Sequence, residues 1–215
     1  LMGTFLKGNF SDNIKSTIMH GLSLTVMIIG ISMGIETENL LVITLSIVTG
    51  AILGEIFQIE DRLNQWGKGL ESRFSKGDDD FTQAFVSASL IYCVGAMAIL
   101  GAIESGLEGK HNILFVKSIL DGVSAVVFSS SLGIGVAFSA IPVFLYQGSI
   151  TLGAALVKSV LSEAIIREMT ATGGILIFAI GINMLDINVK IKIGNLLPAI
   201  FMSVVFTILL SGLVV

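Results

Sequence analysis

The sequence predicts an all-α fold: a polytopic integral membrane helical bundle of about six or seven transmembrane helices. Three observations carry this reading. Of 215 residues, 53% are hydrophobic and only 13% are charged, about half the charge of an ordinary soluble domain. Uncharged runs recur at lengths near the roughly twenty residues that cross a bilayer as a helix, and mean hydropathy is +0.93. The 24 glycines against 2 prolines suit helices that pack backbone to backbone. A soluble chain of this size has too much surface to cover with so few charges; lipid removes that demand.

The elements follow in order. Ser16–Ile35 is uncharged between Lys15 and Glu36, and Asn39–Gly54 lies between Glu38 and Glu55. The second run is short for a span, but Ile56 and Phe57 can extend it. The polar turn between them makes the two a helical hairpin. From Ile59 to Lys76, the residues Ile59, Leu63, Trp66, Leu70 and Phe74 recur four, three, four and four positions apart, which is one face of a helix. Glu60, Asp61, Arg62, Lys68, Glu71 and Arg73 occupy the other face. Within a single transmembrane domain over 1–215, residues 58–77 therefore read as an amphipathic interfacial helix and loop; docking on a neighbouring subunit is the alternative. Gly77–Asp80 is a solvated break, suited to cap the helix that follows.

Phe81–Ile103 predicts the third span and Glu104–His111 a polar loop, with a fourth span starting near Asn112. No charge occurs from Asp121 to Lys158, a run too long for one span and short for two. In its middle, Ser129-Ser130-Ser131-Leu132-Gly133-Ile134-Gly135 predicts a broken helix near Gly133–Gly135, because glycine weakens a helix there. The next helix is expected to start near Pro142, a good first-turn residue. Ser159–Met169 reads as a polar amphipathic stretch, Thr170–Leu185 as a span, Asp186–Lys192 as a charged turn and Ile193–Val215 as the last span. Leu1–Leu6 reads as the tail of an apolar segment, with no signal-peptide pattern.

Orientation and symmetry come from charge and pattern. Lys7, Lys15, Arg62, Lys68, Arg73 and Lys76 fall on one side, which the positive-inside rule makes cytoplasmic. A fully spanning fifth helix puts Lys190 and Lys192 on that side, with Lys158 and Arg167 opposite; a re-entrant one swaps them. The full span is the preferred arrangement. Ile29-Gly30-Ile31-Ser32-Met33 resembles Ile180-Gly181-Ile182-Asn183-Met184. The first and last hairpins thus read as an inverted repeat, against chance among apolar segments.

Chemistry has few places to sit. Lys117 and Asp121 are ionisable inside apolar sequence, and at i, i+4 they share a helix face. The alternative is a lysine reaching the interface with Asp121 as its partner. Ser129, Ser130, Ser131, Gly133 and Gly135 would offer hydroxyls and free backbone groups at a break, unless the small residues only pack helices. Gln147 follows closely enough to project into the same space, and Asp121 and the break are expected to line one hydrated pocket near mid-membrane. Cys93 is the single cysteine, so it forms neither an internal disulfide nor a cysteine-based metal site. His20 and His111 show no metal-ligand pattern, and no nucleophile elbow, Walker loop or dinucleotide fingerprint occurs. A Ser–Lys dyad from Lys117 and the serines is a weak reading. We therefore expect no catalytic residues, no metal, no cofactor and no enzymatic activity. The net charge of −4 without a basic block argues against nucleic acid.

The run from Leu132 to Thr151, with Val94-Gly95-Ala96-Met97-Ala98-Ile99 and Lys117-Ser118-Ile119-Leu120-Asp121-Gly122, resembles the YdfK/YqgA-like bacterial membrane family, a domain of unknown function (DUF554). The likeness covers nearly the whole chain. It implies a multi-pass protein of the bacterial inner membrane, with another apolar helix upstream in most members, and it lends no substrate and no site. The expected function is a transporter or channel for a small solute or ion, embedded in lipid, with a homo-oligomer among the expected assemblies. The alternative is a non-transporting membrane protein that recruits or senses a partner through 58–77.

Overall fold

The computed structural model describes residues 12–65, 81–185 and 190–211. Among them the chain is helical, with no strand. The helices are α1 (Asp12–Gly34), α2 (Leu40–Phe57), α3 (Phe81–Cys93), α4 (Ala96–Glu108), α5 (Asn112–Leu132), α6 (Gly135–Phe138), α7 (Ala140–Leu152), α8 (Ala154–Val160), α9 (Glu163–Met184), α10 (Ile193–Leu196) and α11 (Pro198–Ser211). Six apolar stretches are long enough to cross a membrane: α1, α2, α5, α6 with α7, α9, and α10 with α11. The pair α3–α4, bent by 59°, makes a seventh when counted as one span.

Capping sets several boundaries that hydropathy alone misplaces. The Asn39 side chain accepts from the Leu41 N–H and starts α2. Gln58, at φ 50°, ends it in the left-handed conformation, so α2 does extend through Ile56 and Phe57. The Ser162 hydroxyl accepts from the Ile165 N–H at 3.4 Å. This cap starts α9 at Glu163, well before Thr170, and absorbs most of the polar stretch 159–169 into the span. Pro142 is the third residue of α7 and not its start.

The two terminal hairpins pack against each other in antiparallel fashion. A Cβ on Gly30 would meet the backbone of Gly174 and Phe178; one on Gly181 would meet Ser23 and Met27. Gly30 and Gly181 stand 151 positions apart, and Gly174 and Phe178 stand the same 151 after Ser23 and Met27. Equivalent glycines thus make reciprocal contacts, as an inverted repeat requires. The second helices of the hairpins close on each other too. Gly50 lies against Ala199, and Gly54 against the Asn195 carbonyl. Continuing that register places Ser46 opposite Ser203 and Val42 opposite Thr207, all four buried. The hydroxyls are satisfied within their own helices: Ser46 donates to the Val42 carbonyl at 2.5 Å, Ser203 to Ile200 at 2.7 Å and Thr207 to Ser203 at 2.6 Å. Small residues let these backbones approach closely, which is how apolar helices gain contact in lipid. The sixth span, α9, lies at the centre: 78% of its spanning window is buried, against 17–33% in the other five.

The middle three spans complete the bundle. Gly101 of α4 meets Ile113 and Leu114 of α5, so these helices run antiparallel. Gly135 meets Phe81 and Ala84, and Gly106 meets Thr151 and Ala154. The matching order means that α6–α7 runs parallel to α3–α4. The stretch α6–α7 is also long and apolar enough to cross a membrane, as the preferred reading expects of it.

Polar side chains tie the turns of one hairpin to helices of the other. At one end Glu168, only 4% exposed, accepts from the Thr37 hydroxyl at 2.6 Å and the Glu38 N–H at 2.9 Å. Arg167 pairs with Glu38 beside it. At the other end Glu55 accepts from Lys192 at 3.0 Å and from the Asn195 amide at 2.6 Å. Glu55 beside it holds the Lys192 ammonium above the ordinary lysine range. Glu60 accepts from the Gly194 N–H at 2.6 Å. Glu168→Gln removes the charge and leaves one oxygen where the carboxylate has two, so the Thr37 hydroxyl and the Glu38 N–H no longer each have an acceptor of their own. A loss of about 2 kcal/mol of stability is expected, as for one hydrogen bond to a charged group. Thermal unfolding of the purified protein measures it; an unchanged midpoint would mean that the Thr37–Glu38 turn holds without its acceptor.

The amphipathic segment is described only in its first part. Residues 59–65 are helical, with Ile59 and Leu63 half-buried and Asp61 and Arg62 exposed. Glu60, placed on the polar face by its spacing, docks on α10 through Gly194 and Asn195. Trp66, Lys68, Leu70, Glu71, Arg73, Phe74 and Lys76 lie outside the described residues.

Candidate functional site

The ionisable pair sits mid-span. Asp121 is tenth of the 21 residues of α5, a helix about 31 Å long at 1.5 Å per residue. Lys117 lies one turn nearer the helix start and pairs with Asp121 along one face. Their side chains are 10% and 29% exposed. Ser124, one turn further on, donates to the Asp121 carbonyl at 3.0 Å and reaches the Tyr92 hydroxyl at 3.3 Å. Tyr92 belongs to the last turn of α3, so the pair stands beside the bend of the third span.

That bend is the break at mid-depth. The helices α3 and α4 have 13 residues each, and Val94 and Gly95 between them interrupt the ladder halfway across. Gly95 takes φ 134°, a conformation that L side chains rarely adopt. Val94 presses on Gly173 of α9, a contact open only because Gly173 has no side chain. Phe81–Ile103, expected as one span, is thus broken at Val94 and Gly95. A lone Gly95 in apolar sequence was the break's one signal.

The serine–glycine stretch lies elsewhere. Gly133 does break the helix, at φ 91°, but it follows the last residue of α5. It therefore marks the end of a span and not mid-membrane. Ser129 and Ser130 donate to the carbonyls of Val126 at 3.2 Å and Val127 at 2.7 Å. Ser131 is half-buried. Gly135 is packed against the Phe81 backbone. Ser129 is eight residues from Asp121, about 12 Å along the helix. The pair and the serine–glycine stretch thus stand along one helix at the separation their spacing implies, too far apart for one compact ion site. Gln147, expected near that stretch, is on α7, and its Nε2 is buried with no partner among the described residues.

A cavity of about 960 Å³ opens at the Gly133 end, lined by Ser16, His20, Glu60, Gln83, Asn183 and Lys190 among others. None of the residues expected to form the pathway lines it; Leu132 alone carries α5 to its rim. His20 and Asn183 were not expected here, because they come from opposite hairpins. Among the described residues no three His, Cys, Asp or Glu side chains converge as metal ligands do.

The model of a protein family of unknown function, DUF554, matches residues 1–208. The chain belongs to the DUF554 family. Among curated proteins, this DUF554 chain is similar to the uncharacterized membrane protein YdfK of Bacillus subtilis (strain 168): 32% identical, over 99% of the chain and 93% of YdfK. It is also similar to the uncharacterized protein YqgA of Escherichia coli (strain K12), at 28% identity over 94% of the chain and 88% of YqgA. No solved structure matches the chain. The name of YdfK agrees with the membrane-spanning bundle found for this DUF554 member.

Proposed function

We propose that this protein is a transporter or channel for a small solute or ion in the bacterial inner membrane, and that it carries out no chemistry on what it moves. One observation carries the reading: two hairpins packed on each other in inverted orientation stand beside the apolar pair α3–α4, whose bend lies next to an ionisable pair. Broken backbone at membrane depth is tolerated where it is buried in protein or lines a wet path. Inverted hairpins supply two halves that can rock against each other around such a point. The Lys117–Asp121 pair gives the path charge and Gln147 gives it an amide; the 960 Å³ cavity, lined by other residues, opens at the end of α5.

The test is flux through proteoliposomes holding the purified chain, with a panel of cations, anions and neutral polar solutes. Protein-dependent flux of one class is expected; equal leak with and without protein for every class would refute transport. Orientation is tested separately. By the positive-inside rule Lys190 faces the cytoplasm with Lys68, and Lys110 faces outward. Cysteine placed at each position in a Cys93→Ala background should react with an impermeant maleimide in intact cells at 110 alone. Labelling at 190 and not at 110 would invert the bundle in the membrane.

A further inference from the structure

We infer that the gap between α3 and α4 binds a small monovalent anion. The inference rests on the transport reading and names the class of solute that its mid-depth break accepts. Helix α4 begins in the middle of the bundle at Gly95, which has no side chain with which to cap it. The first N–H groups of a helix have no partner within it and form its positive end. Among the bonds of the described residues, the Ala98 N–H bonds the Gly95 carbonyl at 3.1 Å at the start of α4.

Two further donors reach the same level from opposite sides. Thr170 is 3% exposed, and its hydroxyl has no partner among the described residues. It stands four residues after Ile166, which shares one buried cluster with Ile99 and Ala102 of α4, and three before Gly173, which meets Val94. Helical spacing therefore aims it between those contacts, at the first turn of α4. Gln147 is placed alike on α7. It lies between Val143, packed with the cluster that holds Leu90 and Tyr92, and Ile150, packed with Ile99 and Ala102. Its unpartnered atom is the amide nitrogen.

An uncapped helix start, an amide N–H and a hydroxyl all present hydrogens. Asp121 is already paired with Lys117, and Glu104 stands eight residues beyond Ala96, about 12 Å along α4. A site made of donors and a positive helix end takes an acceptor with negative charge, as half-helix starts do in transporters built from inverted repeats. Its surroundings are tight, since Ala98 is 0% and Ile99 2% exposed. The ligand is accordingly small and sheds most of its water.

The test uses sodium formate as the probe, against sodium gluconate at equal ionic strength, on the purified full chain in detergent. Formate should raise the melting temperature saturably, since a ligand of the folded state stabilises it. Thr170→Val removes an unpartnered hydroxyl, so without formate it should be no less stable than the parent, while the half-saturating formate concentration should rise roughly tenfold. Gln147→Met should weaken formate in the same sense. Thr172→Val is the control. Thr172 is also buried and unpartnered, but two residues on it points to another side of α9, so its formate response should match the parent. A Thr170→Val protein that melts early without formate would show that the hydroxyl has a structural partner, and would overturn the site. So would an unchanged formate response in Thr170→Val, or no difference between formate and gluconate. Cation or neutral-solute flux with formate silent overturns the anion site and leaves transport standing. Formate stabilisation with no flux of any solute keeps the site and overturns transport.

Discussion

Asp121→Asn is expected to abolish solute flux in proteoliposomes while leaving the protein monodisperse on size exclusion. The reason lies in where the pair stands. Lys117 is 8% exposed as a residue, mid-span, and Asp121 one turn away is the carboxylate that compensates it. Asparagine keeps the shape of the side chain and removes its charge. Lys117→Met strands the carboxylate instead and should stop flux as completely. Breaking a buried pair from one side costs about 3–5 kcal/mol. The lower end is expected here, because the Asp121 side chain is 29% exposed. The double change removes both charges and should fold better than Lys117→Met alone. Full flux in Asp121→Asn with normal assembly would reduce the pair to a structural salt bridge.

Gly54→Ala is expected to be the most damaging single methyl in the protein. A Cβ there falls on the carbonyl and backbone of Asn195, neither of which can move like the end of a side chain. Asn195 is also held by Glu55 and by the Glu60 N–H, the latter at 2.8 Å, so pushing it away undoes the end of the second hairpin. A cost of about 3 kcal/mol is expected, the top of the range for overpacking a tight site. Gly30→Ala should act similarly, through Gly174 and Phe178. Gly122→Ala is the contrast: nothing lies within 4 Å of its Cβ, and in mid-helix alanine gains up to about 1 kcal/mol over glycine. Heating the detergent-purified variants and measuring the fraction that stays monodisperse separates them. Equal midpoints for Gly54→Ala and Gly122→Ala would mean that the seam between α2 and α11 contributes nothing to stability.

Much of the architecture was legible in the sequence, because lipid makes hydropathy a direct readout of position. Charge-free runs of spanning length, flanked by Glu36, Glu38, Glu55 and the turn at 186–192, located the two terminal hairpins. The five-residue likeness around Gly30 and Gly181 identified them as equivalents, since glycine at matched positions marks where two backbones meet. Lys117 and Asp121 were legible for the same reason: a charge within an apolar run needs a partner, and i, i+4 supplies one.

Tertiary structure alone decided what those local signals converge on. The break at Gly133 was visible in sequence, yet its depth was not. Depth depends on how far α5 has already travelled, and α5 uses its full 21 residues before Gly133 is reached. The break at Val94–Gly95 was hidden because one glycine in a hydrophobic helix reads as packing; it becomes a bend through Val94 against Gly173, a contact between distant segments. In sequence Glu168 is one charge of the polar amphipathic stretch Ser159–Met169. It is buried because Thr37 and Glu38, some 130 positions earlier, bring donors to it. Composition and periodicity thus determine which segments enter the membrane. Which polar atoms face one another inside it follows from helix register, and that is fixed only when the glycine seams close.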